Sequence, residues 1–434
     1  MPPWYWWMDE NRQTQTCNPA TMQAPQEIYD LIVSFVDDVD SRPWAASTRQ
    51  HKIQSDELRH QLATLRLVNR AFCRSASPRL FRHLRVVAKS AQSKTSESPL
   101  VGLVELSHGP YADYVRQLDI GLEDTEHSEE FCSMFLEDLA GVLPSCLCRL
   151  PKLKALDFQG VPGSLPEATT RDFVNTVISS LRYVPLPNLT ELDIAFPITH
   201  DFAQFFPHKT LSSSALRIST EHVLQRLHHL GLRITASPTE HPQPQPQQHE
   251  SPSPPPAATV HTPGLSNQAH AHWLYKMIRH ASNLKSLAIA SADTLDLDGA
   301  AFSRSLRLES IQLRRVSISS YKLLSLVEQC KDSIRHIELY QVKLNSGEWQ
   351  HVLSRMTHLP GLVSFVIKSC GYSSTGAGAT YYNPHGSSGA VMKTTNSTEI
   401  LALGALHRRV HENRVNCGLA PFRETEFRRR VKSI

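Results

Sequence analysis

One short pattern, apolar-x-x-apolar-x-apolar, recurs in order along most of this chain and restricts its fold more than any other feature. A single copy arises easily by chance, but nine ordered copies do not. The copies begin at Phe81, Val115, Leu153, Leu189, Leu227, Leu284, Leu308, Ile334 and Leu362. The alternation at the end of each copy is typical of a β-strand with one buried face. Each unit leaves an apolar face uncovered, so neighbouring units must stack.

The spacing of the copies indicates which kind of repeat this is. From Val115 onwards the copies are 38, 36, 38 and 57 residues apart, and then 24, 26 and 28. Helix patterns fill the intervals, for example at 319–330 and 346–356, each opening on a Ser start signal. Strand-then-helix units with the shorter period match the leucine-rich-repeat template. The sequence therefore predicts an α/β fold, an irregular leucine-rich-repeat solenoid with parallel strands and outer helices, over 81–236 and 264–370.

Three other segments surround these repeats. The 57-residue interval contains residues 237–263, which hold nine prolines and almost no apolar side chain. Such a segment cannot offset the entropy cost of ordering, so we predict a disordered Pro-rich insertion. Residues 371–395 are rich in Gly and Ser and predict a loop. Over 396–434 we predict a capping helix, begun by a capping-box-like Asn396 and Glu399, and then a basic tail.

A different periodicity precedes the repeats. Apolar residues fall on one stripe of an amphipathic helix at Ile28, Leu31, Ile32, Phe35 and Val36. Pro25 suits the first turn of that helix. A second helical pattern runs from Leu58 to Phe72, a loop is predicted between the two, and Pro78 is expected to end the helical region. We predict a flexible tail over 1–23 and a helical module over 24–80.

The helical module resembles the F-box, in the form common in fungal proteins. The residues that carry the resemblance are APQEIYDLIVSFV (24–36), LATLRLVNRAF (62–72) and SPRLFRHLRV (77–86). The F-box opens with Leu-Pro-x-Glu-Ile, and Pro25, Glu27 and Ile28 match it while Ala24 replaces the Leu. The later Ile is matched by Ile32. The second block is matched at Leu65, Arg66, Val68, Arg70 and Phe72.

The resemblance implies a function and a partner. F-box proteins with leucine-rich repeats are substrate-recognition subunits of Skp–cullin–F-box ubiquitin ligases. The implied partners are a Skp-type adaptor, through it a cullin, and an unknown protein client bound by the repeats. The implied adaptor-binding residues are Pro25, Glu27, Ile28, Ile32, Leu65 and Val68. The alternative is a non-ligase leucine-rich-repeat scaffold or interaction protein, in which the F-box-like helices only cap the repeat array. A separate possibility is that the apolar stripe belongs to an ordinary helix that packs only inside its own domain.

Composition excludes several other classes. Lys+Arg at 45 nearly balances Asp+Glu at 41, which does not favour a nucleic-acid partner. The eight cysteines form no C-x-x-C pair, and their scatter fits a reducing compartment. No run approaches 18 consecutive apolar residues, and MPPWYWWMDE is not a signal peptide. We expect a cytoplasmic or nuclear protein without a membrane partner.

No motif predicts catalysis. Nucleophile elbows, zinc-protease helices, phosphate-binding loops and dinucleotide-binding loops are absent from the sequence. His407 and His411 have a spacing that could hold a metal on a helix, but an exposed polar face is the simpler interpretation. The sequence predicts no enzyme activity, no cofactor and no metal site.

Candidate client-binding residues follow from the alternation within each repeat. The position between the last two apolar residues carries Asp119, Asp157 and Asp193 in successive repeats. Two positions further on, later repeats carry Arg233, Arg314, Tyr340 and Lys368. If the strands stack in order, one sheet face is acidic at its start and basic-aromatic towards its end. This face either serves solubility alone or forms a bipolar docking surface for a client.

Overall fold

The computed structural model describes residues 24–37, 49–88, 98–122, 129–159, 167–206, 218–236, 267–373 and 396–422. The chain divides into two compact units, Met1–Leu80 and Phe81–Ile434. The predicted tail at 1–23 and the predicted insertion at 237–263 lie outside the described residues. The same holds for most of the predicted loop at 371–395 and for the basic end of the chain.

The first unit consists of helices α1 (Gln26–Asp37), α2 (Arg49–Arg66) and α3 (Arg70–Leu80). Its small core has three buried side chains, Val33, Leu62 and Ala76, with Leu58, Leu65, Phe72 and Leu80 packed around them. A core of this size leaves much of the apolar surface of the three helices without a partner inside the unit.

Three details of the predicted helical module are wrong. The predicted loop after α1 contains the first half of α2, because residues 49–57 are almost entirely polar and carry no apolar period. The single helix expected up to Phe72 is two helices, since the Asn69 side chain accepts a hydrogen bond from the Phe72 N–H at 2.9 Å and caps α3. Pro78 does not end α3, which continues to Leu80. Pro78 lies in the last turn, where its missing N–H removes one backbone bond.

The second unit is an eleven-stranded parallel sheet that alternates with helices. Its strands are β1 (His83–Ala88), β2 (Gln117–Leu122), β3 (Ala155–Phe158), β4 (Glu191–Phe196), β5 (His229–Ile234), β6 (Ser286–Asp296), β7 (Ser310–Ile318), β8 (His336–Tyr340), β9 (Lys343–Leu344), β10 (Ser364–Lys368) and β11 (Gly371–Tyr372). Its helices are α4 (Pro99–His108), α5 (Glu129–Cys148), α6 (Glu167–Tyr183), α7 (Thr220–Arg226), α8 (Ala271–His280), α9 (Ser320–Gln329), α10 (Trp349–Met356) and α11 (Ser397–Asn416).

Strand order confirms the predicted α/β solenoid of the leucine-rich-repeat type. Strands β1 to β8 and then β10 lie in chain order, each parallel to the next, while β9 pairs with β7 and β11. The apolar positions of each repeat align across the sheet and are buried, as Leu156 and Phe158 are in β3. Together with apolar residues of the helices they form one continuous core. The intervening positions lie on the opposite face of the sheet.

The long interval between the fifth and sixth strands does not interrupt the sheet. β5 pairs with β6 in register, with Leu230 opposite Leu287. Immediately outside the strands, the Asn267 amide donates to the Ala236 carbonyl oxygen at 3.1 Å. Residues 237–266 therefore connect two points that are already in hydrogen-bonding contact.

The last helix covers the end of the repeat core. Asn413 of α11 is buried, and its amide donates to the carbonyl oxygens of Leu359 and Leu362, both at 3.0 Å. The Asn396 side chain accepts a hydrogen bond from the Thr398 N–H at 3.1 Å and begins the helix. The two Asn413 bonds satisfy carbonyl groups at the edge of the last repeat, where no further strand follows.

Among the described residues, α5 is long and apolar enough to cross a membrane by length and composition. Of its stretch Glu130–Cys148, 39% is buried inside the protein. Leu136, Leu139 and Leu143 of this helix belong to the repeat core. A core helix of a soluble protein passes the same test, so α5 alone is weak support for a membrane span.

Candidate interaction surfaces

The first candidate surface is the apolar stripe of α1. Gln26, Tyr29 and Val33 lie on the face of α1 that packs on α3. The Gln26 amide donates to Ser75 Oγ at 2.6 Å and to the Ala71 carbonyl oxygen at 3.2 Å. At about 100° per residue, four residues of the stripe lie on the opposite side of the helix, namely Ile28, Leu31, Ile32 and Phe35.

The stripe is exposed. Ile28, Leu31, Ile32 and Phe35 are 45, 52, 41 and 74% exposed, and Leu67 and Val68 after α2 are 74 and 60% exposed. We call these six residues the apolar surface of the helical unit. For these described residues, packing of the stripe inside its own domain is wrong, because the Gln26 and Tyr29 face of α1 occupies that position.

Five of the six predicted adaptor-binding residues are exposed: Pro25, Glu27, Ile28, Ile32 and Val68. Leu65 is the exception, because it is half-buried and packs against the core of the helical unit. Its position in the resemblance is therefore explained by folding of the unit.

The second candidate surface is the polar face of the sheet. Asp119, Asp157 and Asp193 lie opposite one another in β2, β3 and β4, as the sequence predicted. The prediction that they are exposed is wrong, since only 7, 6 and 2% of these residues is accessible. We call these three residues the acidic column.

Neighbouring side chains cover the acidic column and supply its polar partners. His83 Nε2 lies 2.6 Å from Asp119 Oδ2, and His229 Nε2 lies 3.1 Å from Asp193 Oδ2. The Arg233 guanidinium lies 3.5 Å from Asp193 Oδ1 and 4.0 Å from Asp157 Oδ1. The cationic partner expected for the column is therefore supplied by the chain itself. A role in folding is enough to explain these three carboxylates.

A glycine in the next strand makes room for this arrangement. Gly231 stands opposite Asp193, and a Cβ at Gly231 would lie 1.6 Å from Asp193 Oδ1. The carboxylate leans over the bare backbone of β5, between His229 and Arg233 of that strand. In the sequence, this arrangement is visible only as Gly in place of Asp in the fifth repeat, and the strand register is needed to interpret it.

The central carboxyl has the most unusual environment. Burial and the neighbouring charges of Asp193 and Asp119 raise the pKa of Asp157 from 3.8 to about 7, against the opposing effect of Arg233. The Gln159 amide donates to Asp157 Oδ2 at 3.4 Å, while Oδ1 accepts no hydrogen bond from a described residue. Near neutral pH a proton on Asp157 relieves repulsion within the column.

The later repeats carry a different set of side chains on the same face. Tyr340 lies opposite Arg314 on one side and Lys368 on the other. Arg314 and Lys368 are exposed and Tyr340 is half-buried, with the Lys368 ammonium 5.6 Å from the centre of the Tyr340 ring. The predicted basic-aromatic set is therefore brought together, and we call these three residues the basic-aromatic row.

The residue after each member of the row has a left-handed backbone conformation. Arg315, Gln341 and Ser369, which follow the members of the row, have φ of 52, 56 and 53°. The Arg315 guanidinium donates to Gln341 Oε1 at 2.7 Å and to the Ala292 carbonyl oxygen at 2.9 Å. These bonds hold the turns together and fix the backbone from which the row projects.

The histidine pair of α11 does not form a metal site. His407 is buried, with its ring 5.9 Å from that of Phe365, and His411 lies 6.3 Å from the ring of Phe422. In the part of the chain that the structure describes, no group of three His, Cys, Asp or Glu side chains is placed to hold a metal ion.

Comparisons with known proteins add little to this geometry. No family model matches the chain, and no curated protein matches it. Among solved structures, the chain is similar to one in the crystal structure of a TLR13–ssRNA13 complex, at 14% identity and a TM-score of 0.25. That match covers 63% of this chain and 39% of the other. The strand order and register themselves therefore define the class, a leucine-rich-repeat-type solenoid with a separate helical unit.

Proposed function

We propose that this chain is the substrate-recognition subunit of a Skp–cullin–F-box ubiquitin ligase. The helical unit binds a Skp-type adaptor, and through it a cullin, while the repeats bind a protein client. The chain works in the cytoplasm, the nucleus or both, without a cofactor and without contacting nucleic acid or membrane. It is not an enzyme in this proposal, because ubiquitin transfer takes place on partner subunits.

The observation that carries the proposal is the outward direction of the apolar stripe. A helix that turns Gln26 and Tyr29 inward while leaving Ile28, Ile32 and Phe35 in water gains little from its apolar residues when alone. Burying three such aliphatic or aromatic side chains in a complex contributes about 4 to 6 kcal/mol before the cost of association. Two of these residues, Ile28 and Ile32, are also among those that the F-box resemblance assigns to adaptor binding.

The test is co-purification of the full chain with a purified Skp-type adaptor. Ile28→Asp together with Ile32→Asp should abolish the complex on size exclusion. The matched control is Met134→Asp together with Leu401→Asp, which places two carboxylates at exposed apolar positions, 57 and 71% accessible, of the repeat unit. Both variants must keep the circular dichroism of the parent. Equal adaptor binding by the parent and the Ile28/Ile32 variant would falsify the proposal.

The scaffold alternative is favoured by one observation, that the first F-box position is Ala24 and no family model matches. A scaffold would bind its client through the repeats and show no adaptor complex in the same experiment. The apolar surface of the helical unit would then be covered by another partner. Neither the parent nor the Ile28/Ile32 variant would bind the adaptor.

A further inference from the structure

The basic-aromatic row is the part of the sheet face that is open to a ligand. The acidic column, on the same face, is almost wholly inaccessible and is contacted by Arg233, His83 and His229. Arg314 and Lys368 differ from Arg233 in this respect. Both are exposed, and neither has a carboxylate within ion-pair distance among the described residues. Of the two halves expected of a bipolar docking surface, only the basic-aromatic row is therefore accessible.

We infer that the basic-aromatic row binds an acidic, extended segment of a protein client. Arg314 and Lys368 lie two strands apart, on β7 and β10 with β8 between them, so their Cα atoms are about 10 Å apart. That distance is within reach of carboxylates on one short extended peptide, given the length of the Arg and Lys side chains. Tyr340 lies between the two cations, and its ring, 5.6 Å from the Lys368 ammonium, holds that cation on the same side of the sheet as Arg314.

The position of nearby charge sets where such a segment lies. Glu338 stands two residues before Tyr340 on the same face, opposite Gln312 and Val366. The acidic segment therefore lies over the row itself, across Arg314 in the middle of β7 and the last residues of β8 and β10. Arg315 adds positive charge next to Arg314 while its guanidinium is held by Gln341 and Ala292.

The chemistry of the row favours a protein over a nucleic acid. Two free cations with a carboxylate two residues away give a short, mixed site, whereas a polyanion needs a basic stripe that neutralises many phosphates. The formal net charge of the chain is only +4. Residues 374–395, which follow β11, contain no Asp or Glu, so the segment next to the row in sequence does not supply the acidic ligand.

The experiment measures fluorescence anisotropy of a labelled ten-residue peptide of alternating Glu and Ser with the full chain. A Gln/Ser peptide is the neutral control, and oligouridine is the polyanion probe. The parent should bind the Glu peptide and not the Gln peptide. Its affinity for the Glu peptide should decrease as NaCl is raised from about 50 to about 300 mM, because salt screens the charges. Arg314→Ala with Lys368→Ala should weaken binding by about ten-fold or more, as expected for loss of two charge-assisted contacts.

A matched variant separates this site from general charge. Arg304→Ala with Lys331→Ala removes two exposed cations elsewhere in the repeat unit and should bind as the parent does. If the alanine pair fails to fold, Arg314→Gln with Lys368→Gln retains most of each stem and serves instead. Equal loss in the Arg304/Lys331 variant, or no preference for Glu over Gln, overturns the inference. Tighter binding of oligouridine through the same two residues also overturns it.

The inference rests on the client-binding half of the proposed function, and its failure is distinguishable. The peptide experiment contains no adaptor, and the adaptor experiment contains no peptide. Loss of adaptor binding with retained Glu-peptide binding refutes the ligase role alone. The reverse result refutes only the acidic segment.

Discussion

Replacing Asp157 by Asn should stabilise the protein at pH 8. The ordinary pKa of an Asp carboxyl is 3.8, and in the folded protein burial and two neighbouring carboxylates raise that of Asp157 to about 7. Between these pH values the folded protein holds a proton that the unfolded chain has released. The free energy of unfolding therefore falls as pH rises from about 4 to about 7. Above that range Asp157 causes no further change in it.

The gap between 3.8 and about 7 sets the upper limit of the effect. It corresponds to about 4 kcal/mol of unfolding free energy, less whatever relaxation and water entry recover. Asn cannot ionise, so the Asp157→Asn variant lacks this loss. The variant should match the parent near pH 4 and exceed it progressively up to pH 8. Asp193→Asn is the contrasting control, since it weakens the contacts to His229 and Arg233 and should destabilise at neutral pH.

The assay is urea-induced unfolding from pH 4.5 to 8, with hydrogen exchange of the peptide that contains β3 as a local readout. Other buried acids such as Glu191, whose pKa is also raised by burial, contribute to both proteins and cancel in the difference. Parallel pH curves for the parent and the Asp157→Asn variant would show that the carboxyl is not held protonated by its surroundings. A variant less stable than the parent at pH 8 would refute the reasoning outright.

Three further perturbations follow from packing and hydrogen bonding. Gly231→Ala forces the Asp193 carboxylate out of its site and should lower the free energy of unfolding in urea by about 2 kcal/mol or more. Gly102→Ala, in an open part of α4, should raise it by about 0.5 to 1 kcal/mol, and equal effects of the two changes would contradict the close approach at Gly231. Deleting 238–262 with a short Gly/Ser linker should leave the melting temperature within a degree or two, and a drop of several degrees would show that the segment packs on the repeats. Asn413→Ala leaves two edge carbonyl groups unpaired and should cost about 2 kcal/mol, with faster hydrogen exchange in β10 first; unchanged exchange there would argue against the capping role.

The buried half of the repeat architecture was predictable from sequence. The hexamer locates Leu156 and Phe158, and their equivalents in each repeat, because period-two alternation follows directly from strand geometry. The helices α9 and α11 were also predicted, through Ser319 and Asn396 at their start positions. The two-residue strands β9 and β11 were not, because two residues are too few to show a period.

The polar half was predictable only in outline. Alternation places Asp157 on the outer face, but whether that face is wet depends on the side chains of neighbouring strands. Here Arg233 of β5 reaches Asp157 of β3, a contact between positions that only the register brings together. The direction of the α1 stripe had the same difficulty, since an apolar period appears whether Ile28 faces its own unit or a partner. The deciding contacts, Gln26 with Ser75 among them, join parts of the chain that lie far apart in sequence.

The hydrogen bond between Asn267 and Ala236 has a consequence for how this chain can change over evolutionary time. With β5 and β6 already paired, the sheet places no demand on the length or composition of residues 237–266. Insertions, deletions and drift there leave every strand register as it was. Any constraint found on that segment across related chains would therefore report on binding, modification or cleavage, and the segment is a natural position for inserting a reporter domain without disturbing either repeat block.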